Sequence, residues 1–234
     1  ATGNGGYAIA KSNAPISDYP TVAVENGVNG KAIKLTTRET GWKSTKMPIA
    51  AGNIFIGTFN ASAAAVSAKN ALKATKFGLQ LVTKKPVRLE GYYKYKAGTE
   101  FRDGNWKLHP EMRDTADIYA VVYETATQTE MAQGAKFVAL DGNDVLTSNR
   151  IVLMARIDNP VEFSGEMADL EASEWVHFSE PFKPMNGKEF SADRLANGGY
   201  AIAIVMTSSR QGAYFKGCVG STLYVDEIKL VNEK

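Results

Sequence analysis

The strongest constraint on the fold is a pair of alternating runs, VRLEGYYKYK at residues 87–96 and DIYAVVYE at residues 117–124. In both runs aromatic and β-branched residues recur with the two-residue period of a β-strand. In the first run one face carries Val87, Leu89, Gly91, Tyr93 and Tyr95. In the second run one face carries Ile118, Ala120 and Val122, and the opposite face carries Asp117, Tyr119, Val121 and Tyr123. These runs therefore predict two long β-strands.

The segment between these strands, residues 97–116, contains Trp106, His109 and a dense set of charged residues. Rigid sheets that present a long polar loop commonly build binding sites in this way. We therefore take this loop as the first place to look for a functional site.

The rest of the chain predicts further short strands and a single helix. The strand-like runs, separated by Gly, Asn, Asp or Pro, are residues 7–10, KAIKLTTRET, NIFIGTF, FGLQLVT, KFVAL, RIVLMARI, WVHFSEPF, GGYAIAIVMTSS and STLYVDEIKLV. The alanine-rich run around residues 62–76 predicts the helix, with Asn60 or Ser62 as its N-cap and Gly78 after its end. This pattern predicts an all-β fold, an antiparallel β-sandwich formed by residues 1–234 as one domain.

Composition excludes several classes of function. The 27 basic and 25 acidic residues give a net charge of +2 without a Lys/Arg cluster, so nucleic acid is not an expected partner. No apolar run approaches the roughly 20 residues that span a bilayer. Cys218 is the only cysteine, which excludes an intrachain disulfide and a cysteine-based zinc site.

Several segments together resemble a known family. They are GKAIKLTTRETG, YYKYKAGTEF, DIYAVVYE, IVLMARI and YAIAIVMTSSRQGAYFKGCVGSTLYVDEIKL. Together they resemble the putative carbohydrate metabolism domain of Gram-negative gut bacteria, and the resemblance runs from about Ala1 to the C-terminus. It implies a jelly roll similar to carbohydrate-binding modules. It also implies export to the periplasm or outer-membrane cell surface as a lipoprotein, and an immunoglobulin-like domain ahead of this one, which we expect to be absent from this chain.

Aromatic residues beside polar ones are the candidate sugar-binding groups. Sugar rings stack their C–H faces on aromatic planes while their hydroxyls bond to carboxylate, amide and guanidinium groups. The predicted substrate-binding residues are Trp106, Arg102, Asp103, His109, Asp117 and Tyr119. Trp106 could instead cap one end of the sandwich, and Tyr119 could belong to an ordinary aromatic inner face. Trp42 presents the same two alternatives as Trp106.

Acidic residues supply an alternative, glycoside hydrolysis, which needs two carboxyl groups about 5 Å apart or about 6.5–9.5 Å apart. The candidates are Glu100 or Asp103 with Asp114, Asp117 or Glu124, although sequence spacing does not give distances across strands. No sequence motif marks a catalytic nucleophile.

Asp226 in TLYVDEIKLV is the candidate metal ligand. Residues Leu223 and Val225 have the opposite parity to Ile228 and Leu230, so either Asp226 points inward or a bulge at Asp226–Glu227 shifts the register. In similar jelly-roll modules an aspartate of the closing strand often helps to hold a structural Ca²⁺. By that resemblance the partners would be Asp18, Glu25 or backbone carbonyls.

The predicted function is non-covalent binding of a polysaccharide or oligosaccharide by a monomeric domain, without a catalytic residue. The alternatives are a glycoside hydrolase and a structural or adhesive surface protein. Structural Ca²⁺ is the one cofactor that we consider.

Overall fold

The computed structural model describes residues 1–64 and 68–234, and β-strands dominate this part of the chain. Its strands are β1 (Thr21–Val24), β2 (Ala32–Thr36), β3 (Arg38–Trp42), β4 (Met47–Ala50), β5 (Asn53–Phe55), β6 (Gly57–Phe59), β7 (Thr75–Phe77), β8 (Gln80–Leu81), β9 (Pro86–Lys96), β10 (Phe101–Arg102), β11 (Asp117–Glu124), β12 (Leu140–Asp141), β13 (Ile151–Arg156), β14 (Val176–Pro181), β15 (Lys183–Pro184), β16 (Tyr200–Thr207), β17 (Gly217–Cys218) and β18 (Thr222–Asn232). Its helices are α1 (Asn4–Ala10), α2 (Ala61–Ala64), α3 (Ala68–Ala74), α4 (Gln128–Ala132) and α5 (Ala192–Ala196). Every strand pairing within these residues is antiparallel, which confirms the predicted fold class.

Two sheets pack against each other and enclose the main hydrophobic core. One has the strand order β1-β2-β18-β9-β14, and the other has the order β15-β13-β11-β16-β5 with β8 also paired to β16. The predicted face of β9 contributes the buried Leu89, Tyr93 and Tyr95, which pack in one cluster with Ile118 and Val122 of β11. Residues of both sheets share this cluster, so the antiparallel β-sandwich is confirmed.

The opposite face of β11 is buried as well. Tyr119, Val121 and Tyr123 form a second cluster, to which β5, β7 and β12 contribute Phe55, Phe77 and Leu140. A small sheet with the order β12-β7-β6 supplies part of this cover, and the Tyr123 hydroxyl donates a 2.6 Å hydrogen bond to the Gly78 carbonyl. The second sheet is therefore covered on both faces.

The predicted first strand at residues 7–10 is wrong, because these residues form the end of α1. Tertiary contacts explain the difference. Asn4 holds this helix to the chain at Thr21, donating to its carbonyl at 2.7 Å and accepting from its N–H at 3.0 Å. Tyr7 is buried and packs edge-on against Tyr19, with ring centroids 5.6 Å apart.

The position of the helix predicted around residues 62–76 is confirmed, but the prediction of its C-terminal end is wrong. Helices α2 and α3 occupy this region, while residues 65–67 lie outside the described part of the chain. Asn60 accepts from the Ser62 N–H at 3.1 Å, as an N-cap does. The helix ends at Ala74 because the next residues pair as β7 with β6 and β12, so Gly78 follows a strand.

A bulge interrupts β18 at Asp226 and Glu227. The register of β18 on β9 shifts between Asp226 and Lys229, and Glu227 has a φ of +50°. This is the second of the two arrangements that the sequence allowed. Within the described residues no helix is long and apolar enough to span a membrane.

Candidate functional site

Two recesses share the β3–β4 hairpin as a wall. The first, which we call the tryptophan groove, has a volume of about 220 Å³ and is lined by Glu39, Thr99, Glu100, Arg102, Trp106 and Val219. The second, which we call the main cavity, has a volume of about 330 Å³ and lies over the face of β5, β11 and β16 that carries Phe55, Tyr119 and Val205. Thr40 and Trp42 of the hairpin line the main cavity, whereas Glu39 lines the groove.

Trp106 is presented by a tight turn that Asp103 holds. The Asp103 carboxylate accepts hydrogen bonds from the N–H groups of Asn105 at 2.9 Å and Lys107 at 3.0 Å. Its other oxygen lies 3.1 Å from Nε2 of His109. Burial raises the pKa of Asp103, but the hydrogen bonds from His109 and these two amides outweigh it, so the pKa is lowered. Asp103 and His109 therefore shape the turn, and neither lines a recess.

The indole of Trp106 is half-buried, and two cations lie against its ring. The ammonium of Lys43 is 4.2 Å and the guanidinium of Arg102 is 4.9 Å from the ring centroid. Arg102 is fixed, because it donates to Glu100 at 2.7 Å and to the Trp106 carbonyl at 3.2 Å. The Lys43 side chain is 46% exposed and pairs with Glu39 at 2.9 Å, so it is free to move aside at little cost.

The floor of the main cavity consists of two cross-strand rows. In the first row Tyr119 of β11 lies opposite Val205 of β16, which lies opposite Phe55 of β5. In the second row, two residues away on the same face, Asp117 lies opposite Thr207 and Thr207 opposite Asn53. The floor is thus apolar along one row and polar along the next.

Asp117, in the floor of the main cavity, forms ion pairs with Arg156 and Arg210. It is 2% exposed and accepts two hydrogen bonds from Arg156, at 2.8 and 2.7 Å, while Nε of Arg210 lies 3.7 Å away. Burial raises the pKa of the Asp117 carboxyl, and the two guanidinium groups oppose that rise. Burial alone would lower the pKa of Arg156, yet its bonds to Asp117 raise it. Such a bidentate pair fixes both side chains.

The other carboxylates considered for hydrolysis are also engaged. Asp114 is buried and accepts from Ser209 Oγ at 2.5 Å, Ser221 Oγ at 2.7 Å and the Cys218 N–H at 2.8 Å. Burial raises the pKa of Asp114, and these bonds oppose the rise. Glu124 pairs with Lys188. Neither Asp114 nor Glu124 lines either of the two recesses, and Asp117 lines a different recess from Glu100, so none of the predicted pairings shares one of these spaces.

Asp226 accepts hydrogen bonds from backbone N–H groups. One oxygen accepts from Val28 at 2.6 Å and from Asn29 at 3.5 Å, and the other accepts from Glu227 at 2.8 Å. Calcium requires six to eight oxygen ligands, whereas these neighbours are donors. Within the described residues no three His, Cys, Asp or Glu side chains converge as metal ligands. The surroundings of Asp226 therefore do not fit a Ca²⁺ ion.

Four of the six predicted binding residues line a recess, while Asp103 and His109 line neither. Arg102 and Trp106 line the tryptophan groove, and Asp117 and Tyr119 line the main cavity. Sequence reasoning missed Glu39, Thr99 and Val219, because no local signal joins the hairpin, the loop and the segment before β18. Trp42 was considered only as an analogue of Trp106, and it lines the other recess.

Comparison with known proteins identifies the family. No curated protein matches the chain. Over 100% of its length the chain is 42% identical to a Bacteroides thetaiotaomicron protein described as a putative glycoside hydrolase, with a TM-score of 0.85, and it spans 62% of that protein. A second protein of that description, from Bacteroides vulgatus, is 36% identical with a TM-score of 0.82, over 99% of this chain and 85% of that one. The putative carbohydrate metabolism domain matches residues 1–231, and the chain therefore belongs to that family.

Proposed function

We propose that this domain binds carbohydrate non-covalently in the tryptophan groove. The observation that carries the proposal is the mixture of groups in one open recess: the half-buried indole of Trp106, the guanidinium of Arg102, the hydroxyl of Thr99 and the carboxylates of Glu39 and Glu100. A sugar needs an aromatic plane for its C–H face and charged or polar groups for its hydroxyls. The groove offers both.

The geometry also suggests how a sugar would enter. The exposed Lys43 would leave the indole, while Arg102 would stay in place on Glu100 and donate to a sugar hydroxyl. Membership of a family described as a carbohydrate metabolism domain supports this choice of ligand.

Trp106→Ala tests the proposal. Loss of the stacking plane should weaken retention of a bound glycan by about 1–3 kcal/mol. Affinity electrophoresis against a panel of neutral and acidic polysaccharides would identify the glycan, and calorimetry would measure the loss. Trp175→Ala is the matched control, because Trp175 is also half-buried but packs against Lys94, outside both recesses. Equal losses in the two variants would contradict the proposal.

Glycoside hydrolysis remains a second candidate because Glu39 and Glu100 line the same groove. Each already pairs with a cation, Glu39 with Lys43 and Glu100 with Arg102. A hydrolase would release reducing ends from a retained polysaccharide, and Glu39→Gln or Glu100→Gln would abolish that release. Retention without release would favour binding alone. A domain that neither retains nor cleaves glycans would fit the adhesive alternative.

We further propose that the protein acts in the periplasm or on the outer-membrane surface as a lipoprotein. Support comes from the family resemblance. Fractionation of the producing cell, with metabolic labelling by a fatty acid, would test this location. Recovery of the protein in the cytoplasmic fraction would contradict it.

A further inference from the structure

We infer that the main cavity is a second ligand site, one that takes a neutral ring compound carrying a hydroxyl group, of which phenol is the simplest representative. The inference is independent of the tryptophan groove, because it concerns a different recess and a different ligand chemistry. It follows from the two rows of the floor, from two buried polar atoms that lack hydrogen-bond partners within the described residues, and from the walls.

The floor presents an apolar strip beside a polar strip. Tyr119, Val205 and Phe55 form the first, and Asp117, Thr207 and Asn53 form the second. Residues two apart along a strand are about 7 Å apart, because each residue rises about 3.3 Å. A flat ring of six atoms with one substituent matches that span, with its ring on the first strip and its polar group on the second.

Two buried polar atoms at the main cavity lack hydrogen-bond partners within the described residues. They are Nε of Arg210, a donor, and Oδ1 of Asn53, an acceptor, and both residues line the main cavity. Arg210 uses its Nη2 for the carbonyls of Ile157 and Asp158, at 3.2 and 2.8 Å. Buried polar groups without partners are costly and call for an explanation. A hydroxyl can accept from the donor or donate to the acceptor, so it suits either atom.

The walls favour a ring with few polar substituents. Phe59, Phe77, Val145 and Leu146 line the main cavity together with Met47 and Ile49 of the hairpin. A bare sugar ring carries hydroxyls around its perimeter, and those that met these side chains would lose their hydrogen bonds to water without replacement. The walls thus select against the ligand class that we propose for the groove.

The charges that line the main cavity favour a neutral ligand. Asp117 and Arg210 are the charged residues of its lining, and both are already engaged, Asp117 by Arg156 and Arg210 by the carbonyls of Ile157 and Asp158. A charged ligand would lose its hydration between the apolar walls without gaining a free counter-charge. A neutral hydroxyl avoids this penalty.

The experiment follows the three tryptophans by ¹⁹F NMR of protein labelled with 5-fluorotryptophan, each resonance being assigned by its Trp→Phe variant. Phenol should shift the Trp42 resonance saturably and leave those of Trp106 and Trp175 in place, since Trp42 alone of the three lines the main cavity. Toluene, which has no hydroxyl, should bind at least about tenfold more weakly. Benzoate should also bind more weakly than phenol.

Ala213→Trp provides a plug at the rim, where Ala213 is exposed, and should lower the affinity for phenol at least about tenfold. Ala172→Trp, at an exposed alanine outside the cavity lining, should leave it unchanged. If Ala213→Trp does not fold, the comparison of phenol with toluene in the unmodified protein decides alone. The inference is overturned if phenol leaves the Trp42 resonance unmoved, if toluene or benzoate binds as tightly as phenol, or if the folded plug variant has no effect. A shift at Trp106 would place the phenol in the groove and would also overturn it.

Discussion

Trp106 adopts a left-handed backbone conformation, with a φ of +66°. A residue other than glycine rarely adopts this conformation unless neighbouring groups stabilise it. The support comes from Asp103, whose carboxylate accepts the N–H groups on both sides of Trp106, and from the Trp106 N–H, which donates to the Asp103 carbonyl at 2.9 Å. Asp103 is thus a positioning residue. It decides where the indole stands, although it does not line the groove.

This role makes the turn sensitive to acid. The pKa of Asp103 is lowered in the folded protein, so its contribution to stability is fully present above the pKa of the unfolded chain, about 3.9. The contribution is lost as the pH falls through the lower, folded-state pKa. We expect the amide resonances of Asn105 and Lys107 to move together over that acidic range. In Asp103→Asn this step should disappear, and its persistence there would contradict the assignment.

Individual residues show how far the sequence could predict the site. Tyr119 and Asp117 were placed on one face of β11 from alternation alone, and they do share it, since one residue always separates neighbours on a strand face. Glu39 could not be found in this way. It reaches Trp106 and Arg102 through the packing of a hairpin against a loop more than fifty residues away, and nothing in the local pattern encodes that distance.

Among the elements, the bulge in β18 has an identifiable task. It turns the Asp226 carboxylate toward the connection between β1 and β2, where it accepts the N–H groups of Val28 and Asn29. Gly27 belongs to the same contact, because a Cβ at that position would lie 2.6 Å from Oδ2 of Asp226. The bulge therefore fixes the connection between β1 and β2 to the closing strand, in addition to the pairing of β2 with β18.

Asp226→Ala should free the connection between β1 and β2 while β2 stays paired with β18. Loss of an acceptor for three backbone N–H groups should reduce the free energy of unfolding by about 1–2 kcal/mol, and hydrogen exchange at Val28 and Asn29 should accelerate. The free energy of unfolding of Asp226→Asn, which keeps one acceptor oxygen, should lie between that of Asp226→Ala and that of the unmodified protein. Chelation should leave the melting temperature of the unmodified protein unchanged. A lower melting temperature in EDTA that is absent from Asp226→Ala would contradict this expectation and indicate a metal at this aspartate.

Element boundaries show why some predictions failed. The glycines and alanines at residues 3–10 have only a weak preference between helix and strand. The hydrogen bonds of Asn4 with Thr21 therefore favour the helix. The opposite case is α4, which sequence reasoning missed although Thr127 and Glu130 form a capping box that can be recognised in the sequence. The predicted strand KFVAL is confirmed only at Leu140, which pairs with Phe77 of β7. Pairing partners, rather than propensity, set these limits.

At the scale of the whole molecule, β11 belongs to two hydrophobic clusters, one on each of its faces. Alternation predicted which residues would share a face. It could not show that both faces are buried, because the cover on the second face comes from distant segments around β7 and β12.

A comparison of Leu89→Ala with Leu140→Ala tests whether the two clusters unfold together. Both leucines have 0% exposure, one in each cluster, so each substitution should cost about 2–5 kcal/mol. In urea both variants should show a lower midpoint with an unchanged m-value. A second transition, or a smaller m-value in Leu140→Ala alone, would show that the outer cluster unfolds separately.

The hairpin formed by β3 and β4 separates the two recesses. Glu39 lines the tryptophan groove, while Thr40 and Trp42 of the same strand line the main cavity. A substitution at position 39 can therefore alter the lining of one recess while the side chains that line the other stay the same.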